Sequence, residues 1–256
     1  MRVVIKVGTS TLAHATGRLN IKHTGELCKV LSDLKNAGHE IILVSSGAIG
    51  MGVGKLGLKE KPTDIPTKQA AAAVGQCELM YVYDRLFTEY GHTVAQILLT
   101  GADFIAEDRH ENFNNTLSRL LALGALPIIN ENDTIATEEI KVGDNDTLSA
   151  LVAVSAKAEL LVILSDVDGL YSADPRKDGG ATLIERVHGI PESLFSLAGD
   201  EGSALGTGGM KTKIKAAKIC MEEGVDTVIA NGANPELLYN VVEGKLGGYT
   251  RFFTKD

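Results

Sequence analysis

The sequence predicts an α/β protein in which a mainly parallel sheet lies between layers of helices. Three observations lead there. Short apolar runs rich in β-branched residues recur along the chain, segments of helical period separate them, and the runs end in small or polar residues. Runs of that kind are strands buried on both faces. Their polar ends belong to one rim, the side on which open α/β sheets bind ligands.

The first strand is residues 2–7, ending at Gly8, Thr9 and Ser10. Lys6 is the odd residue in it. A buried ammonium is costly unless it meets an anion, which points to a phosphate at the strand's carboxyl end; the plainer alternative is a lysine snorkelling to water. Asn20 can cap a helix whose apolar positions Leu27, Val30, Leu31 and Leu34 stop at Gly38. A strand over 40–44 completes a βαβ unit and ends in Ser45, Ser46, Gly47 and Ala48, a turn able to offer N–H and hydroxyl groups to an anion such as a carboxylate.

Residues 52–57, Gly-Val-Gly-Lys-Leu-Gly, match the dinucleotide fingerprint formally. They do not follow the strand directly and the expected acidic residue is missing, so the match is read as chance; no G-x-x-x-x-G-K-[ST] loop exists either. An alanine-rich helix over 67–90 precedes a strand over 94–99, and a helix over 111–123 precedes a strand over 125–129. That strand ends in Asn130, Glu131, Asn132 and Asp133, which is either a ligand-facing cluster or an ordinary Asn- and Asp-rich turn. Lys141 to Asp146 opens the next helix. Capping alone could explain Asp144, but Asp144 and Asp146 flanking Asn145 exceed what a cap requires.

A strand over 160–164 ends in Ser165, Asp166, Val167, Asp168 and Gly169, read as a tight turn because most ligands of a calcium loop are lacking. A loop through Asp174, Pro175 and Arg176 and a helix over 191–197 lead to a glycine-rich run over 199–209. The helix that follows buries Met210, Ile214, Ala217 and Met221 and carries Lys211 and Lys213 in its first turn. Cations are unfavourable there, so an anion bound at that end is the best explanation. A last strand over 227–230 makes six, and the tail beyond it has little signal.

With 256 residues, 44% of them hydrophobic and 23% charged, the chain can bury a substantial core. A net charge of -8 argues against a nucleic-acid or anionic-membrane surface and confines phosphate chemistry to a cleft. The apolar runs are too short for a bilayer and no signal sequence is evident, so a cytoplasmic protein is expected. Three separated cysteines and six unpaired histidines lack metal or redox spacing, and no metal ligand is assigned. No flexible linker divides the chain, and one domain is expected over 1–256. Its first half, about 1–150, suits a small zwitterion through Ser46 and Asp133, and its second, about 151–256, suits nucleotide phosphates.

The blocks at 6–10, 45–49, 129–133, 140–146 and 206–213 together resemble the amino acid kinases, with the likeness running from Arg2 to about Gly248. The resemblance implies a three-layer α/β/α sandwich of that family's own topology. It implies ATP-dependent phosphorylation of the side-chain carboxylate of L-glutamate to glutamyl 5-phosphate, the first step of proline synthesis, with Mg2+ beside ATP. A homo-oligomer, feedback inhibition by proline and channelling to glutamyl-phosphate reductase are further expectations, as is a form lacking the carboxyl-terminal PUA domain, a module resembling those of RNA modification. By the same resemblance Lys6 and Lys213 stabilise the transferring phosphoryl group and Asp146 holds them. Ser46, Asp133 and Asn145 hold glutamate with help from Asn130 and Asp144; Ser165, Asp166, Thr207, Gly208, Gly209, Met210, Lys211, Thr212 and Lys213 hold ATP together with Lys6. A kinase of the same superfamily acting on acetylglutamate, aspartate or a nucleotide is the alternative, and a non-catalytic sensor is the rival of another class.

Overall fold

A computed structural model of the chain describes residues 1–14, 18–136, 142–175, 178–197 and 209–254. β1 (Arg2–Val7) runs into Gly8, and the turn expected there tightens at once into the single-turn helix α1 (Thr9–Leu12). α2 (Ile21–Asn36) starts at Asn20, whose side chain accepts from the His23 N–H, as predicted. β2 (Glu40–Ser45) leads through Gly47, left-handed at φ 107, into α3 (Ala48–Lys55) and then α4 (Ile65–Thr88), capped by Asp64 with Pro66 in its first turn. β3 (Val94–Leu99), the short α5 (Ala102–Ile105), α6 (Glu107–Ala122) and β4 (Leu126–Glu131) complete the first half. The second half holds α7 (Asn145–Ser155), β5 (Leu160–Ser165), β6 (Arg186–His188), α8 (Glu192–Leu197), α9 (Met210–Glu222), β7 (Asp226–Asn231), α10 (Leu237–Val242) and β8 (Tyr249–Phe253).

Among the described residues the sheet has eight strands in the order β3-β4-β2-β1-β5-β7-β8-β6, parallel throughout except where β8 runs antiparallel to β7. Two strands thus exceed the six expected. β6 is three residues long with only Val187 buried, too short to show a period, and β8 lies in the tail that carried little signal. A charge contact secures that edge: Arg251 donates to Asp226 Oδ2 from Nε at 3.1 Å and from Nη2 at 2.9 Å, tying β8 to β7.

Strand alternation sorts the core into two layers. Val3, Ile5 and Val7 of β1, with Ile41 and Leu43 of β2 and Leu126 and Ile128 of β4, pack against α2, α4 and α10. The intervening residues Val4, Ile42, Val44 and Ile129 pack against α6, α7 and α9. The result is the expected α/β/α sandwich, and its alternation decides where each polar residue near a strand end points.

Gly52, the first glycine of the 52–57 stretch, has a steric role. A Cβ on Gly52 would lie 1.8 Å from the Ala71 carbonyl oxygen, and one on Gly75 would lie 1.7 Å from that of Ala48. α3 and α4 therefore cross with backbone against backbone, and the fingerprint match is chance, as expected. The turn after β5 also holds as a turn. Asp168 accepts from the Tyr171 hydroxyl at 2.8 Å and from Asn231 Nδ2 at 2.8 Å, while Gly169 leaves room for Thr250.

Candidate active site

β1 lies inside the sheet, with β2 on one side and β5 on the other, so its carboxyl end faces the point where successive connections diverge. Lys6 shares the parity of Val4 and so points to the layer of α7 and α9. Asp146, in the first turn of α7, and Lys213, in the first turn of α9, come from that layer. Lys6 Nζ lies 2.7 Å from Asp146 Oδ1, Lys213 Nζ lies 3.1 Å from Asp146 Oδ2, and Thr212 Oγ1 donates to Oδ2 at 2.7 Å. All three charged groups are buried, Asp146 to 1% exposure. Burial pushes the Asp146 carboxyl up, but the two ammonium charges and the hydrogen bonds from Lys6 and Thr212 outweigh it and hold the group down at about 2.

Two glycines adjoin this trio. A Cβ on Gly8 would stand 3.5 Å from Lys6 Nζ, so the glycine leaves one flank of the ammonium clear. Gly209, the cap residue of α9, has no side chain to occupy the helix's first N–H groups. Phosphate oxygens fit both features.

On the other side of the rim a cleft of about 420 Å³ is lined by Ser46, Asn130, Asp133, Asp144 and Asn145, so the five residues assigned to the small substrate come together. Asn145 Nδ2 donates to Ser46 Oγ at 2.7 Å and to Asn130 Oδ1 at 3.0 Å. Asp144 lines the cleft but is also the helix cap: Oδ1 accepts from the Thr147 N–H at 2.8 Å and Oδ2 from the Thr147 hydroxyl at 2.9 Å. Asn130 and Glu131 belong to β4 itself, because the pairing with β3 continues to Leu98 and Leu99. Glu131 accepts from the Val142 N–H at 2.7 Å and so anchors the far end of the segment leading to α7.

At the end of β5, Ser165 is buried and donates to the exposed Asp166 at 3.2 Å. Met210 is half-buried and Lys211 exposed at the start of α9. Thr207 and Gly208 lie outside the described residues, as do Lys141 and most of the glycine-rich run. Two contributors were missed in the sequence, Gln76 and Tyr83. Both lie on the buried face of α4: Gln76 Oε1 accepts from Asn130 Nδ2 at 3.0 Å, and the Tyr83 hydroxyl meets Ser45 Oγ at 2.8 Å. A glutamine at a core position of an apolar helical stripe was the available signal.

Among the described residues no three His, Cys, Asp or Glu side chains group as a metal cage. Both Asp146 oxygens already face ammonium groups. The described residues thus offer at most part of a divalent cation's coordination, with the remaining oxygens to come from a ligand and water.

The family model for the amino acid kinase family matches residues 1–231. The chain belongs to the amino acid kinase family. Among curated relatives, a glutamate 5-kinase of Clostridium tetani is 56% identical over 246 residues, covering 96% of this chain and 92% of the relative. One of Clostridium acetobutylicum is 52% identical, covering 100% and 95%. That of Caldanaerobacter subterraneus is also 52% identical, covering 98% of this chain and 67% of the relative. Two solved structures share the fold: UMP kinase from Ureaplasma parvum, with a TM-score of 0.67, 15% identity and 98% of each chain covered, and carbamate kinase from Giardia lamblia bound to AMP-PNP, with a TM-score of 0.68, 18% identity and 100% and 98% covered. At those identities the likeness speaks for architecture alone. Membership and architecture thus agree with the reading of the motif blocks.

Proposed function

We propose that this chain transfers the γ-phosphoryl group of ATP to the side-chain carboxylate of L-glutamate, giving L-glutamyl 5-phosphate for proline biosynthesis. The observation that carries this reading is the buried Lys6–Asp146–Lys213 trio beside a cleft lined by Ser46, Asp133 and Asn145. The names of the curated relatives, glutamate 5-kinase at 52–56% identity, support the substrate.

The chemistry follows from the groups. A glutamate carboxylate, with a reference pKa of about 4.3, is already an ionised nucleophile and needs no general base. One of its oxygens attacks the γ-phosphorus, the bond from that phosphorus to the β–γ bridging oxygen breaks, and ADP departs with the electron pair. The protein's part is positioning and charge. Lys6 and Lys213 face the transferring group, and Asp146 sets their spacing and offsets their mutual repulsion. Ser46 and Asn145 hold the amino acid, Asp133 meets its ammonium, and the first turn of α9 with Gly209 holds phosphate oxygens. In this reading residues up to about 150 bind the amino acid and the remainder the nucleotide. A cytoplasmic homo-oligomer, proline inhibition and product channelling are expectations that extend the same reading.

The test is trapping with hydroxylamine, which converts an acyl phosphate into a hydroxamate. L-Glutamate with ATP is expected to give hydroxamate, and N-acetylglutamate is not, because acetylation removes the charge assigned to Asp133. Equal rates with both would overturn the glutamate assignment, and no product from any acidic amino acid would favour a sensor.

A further inference from the structure

We infer that Gln76, which does not line the cleft, is a positioning residue that, together with the Glu131 N–H, holds Asn130 and through it the hydrogen-bond polarity of the substrate-holding residues. The inference rests on the glutamate reading above and extends it to a residue behind the site.

Asn130 is held from both limbs of its amide. One limb of its amide accepts from the backbone N–H of Glu131 at 2.9 Å, and that limb must be the oxygen. The other limb is therefore the NH2 group, which donates to Gln76 Oε1 at 3.0 Å. With Asn130 held in this sense, its oxygen also accepts from Asn145 Nδ2 at 3.0 Å, and Asn145 Nδ2 reaches Ser46 Oγ at 2.7 Å. Asn145 thus spends its NH2 group on the protein, leaving its carbonyl oxygen as an acceptor for a ligand ammonium. Ser46 receives a hydrogen bond from Asn145, which leaves its own proton for a ligand carboxylate. Each group is given the sense that an amino acid requires.

The arrangement has a cost that points to its purpose. Gln76 is 7% exposed, and its Nε2 is buried with no hydrogen-bond partner among the described residues. A leucine would remove that orphan donor and suit the apolar stripe of Leu79, Tyr83 and Phe87 on the same helix face. An acceptor has been kept where packing alone would not ask for one. Asn130 shares the parity of Leu126 and Ile128 on β4, which turns its amide to the layer that contains α4, where Gln76 supplies the acceptor.

The experiment compares Gln76→Leu, Gln76→Asn and Gln76→Glu with the wild type in the hydroxamate assay, with melting curves and with glutarate, which lacks the ammonium, as a second acceptor. Removal of the acceptor in Gln76→Leu should raise the glutamate KM about tenfold or more while kcat at saturation and the KM for ATP stay within about threefold. The preference for glutamate over glutarate should shrink in parallel. Gln76→Glu restores an acceptor oxygen and should recover much of the affinity. Should Gln76→Leu fail to fold, Gln76→Asn carries the test, since it withdraws the oxygen by one methylene. A folded Gln76→Leu or Gln76→Asn protein whose glutamate KM stays within about twofold of wild type overturns the inference, as does a fall in kcat with KM unchanged. Wild-type protein that makes no hydroxamate from glutamate overturns the proposed function as well, so the two failures are distinct.

Discussion

Asp146 Oδ1 lies 2.7 Å from Lys6 Nζ, joining the first turn of α7 to β1, the first strand of the first βαβ unit. The second oxygen of the same carboxylate reaches Lys213 on α9, so one side chain fixes the separation of two cations from different elements. Replacing it by asparagine leaves two buried ammonium groups without that charge. Asp146→Asn is expected to lose roughly 3 kcal/mol of stability and at least about a hundredfold in turnover while still binding ATP. Thermal melts with and without ATP, run beside the hydroxamate assay, check this. A stable variant with normal turnover would reduce Asp146 to a first-turn carboxylate.

Lys213→Ala should act on the reaction rather than on glutamate binding. Removing one electrostatic contact to a transferring group is worth about 10²–10³ in kcat. Steady-state kinetics in glutamate should therefore show a depressed kcat at a nearly constant KM; a change confined to KM would count against the role assigned to this lysine.

Acid should find the same carboxylate. The folded-state pKa of Asp146, about 2, lies below the ordinary 3.8, so its contribution to stability is complete above the ordinary value and is lost as pH falls through the depressed one. The expected loss between about pH 4 and pH 2 is on the order of 2 kcal/mol. Urea unfolding across that window should show a steeper decline for the wild type than for Asp146→Asn. Parallel curves would contradict the linkage.

Two glycine-to-alanine substitutions should move stability in opposite directions. Gly25 lies within α2, and a Cβ there meets nothing within 4 Å, so Gly25→Ala should gain about 0.5–1 kcal/mol. Gly52→Ala places its Cβ against the backbone of α4 and should cost about 3 kcal/mol or more. Melting temperatures of the two variants give the comparison.

What the sequence disclosed was mostly what breaks a local rule. A lysine inside a buried strand and lysines in a helix's first turn are each costly alone, and that cost is visible in one dimension; Lys6 and Lys213 stand out for this reason. The longer strands were equally legible, since apolar runs such as Leu160 to Leu164 have few other uses. β6 and β8 were not, because a three-residue strand has no period and β8 gains its place from pairing with β7 and from the Arg251–Asp226 contact. Gln76 was illegible for another reason. Its partner Asn130 lies on a different element, and only the strand's alternation in the folded protein turns that amide toward α4.

The close crossing of α3 and α4 also limits how substrate scope can be altered. Met51 and Val53 on α3 line the cleft, and a designer seeking to admit a bulkier acid would first think of moving that helix outward. With backbone seated on backbone at Gly52 and Gly75, the two helices have no side-chain layer between them that could be thinned or thickened to shift one against the other. The width of the cleft is thus adjustable only by trimming the side chains that project into it, and variant libraries for altered acceptors belong at Met51, Val53 and Leu58.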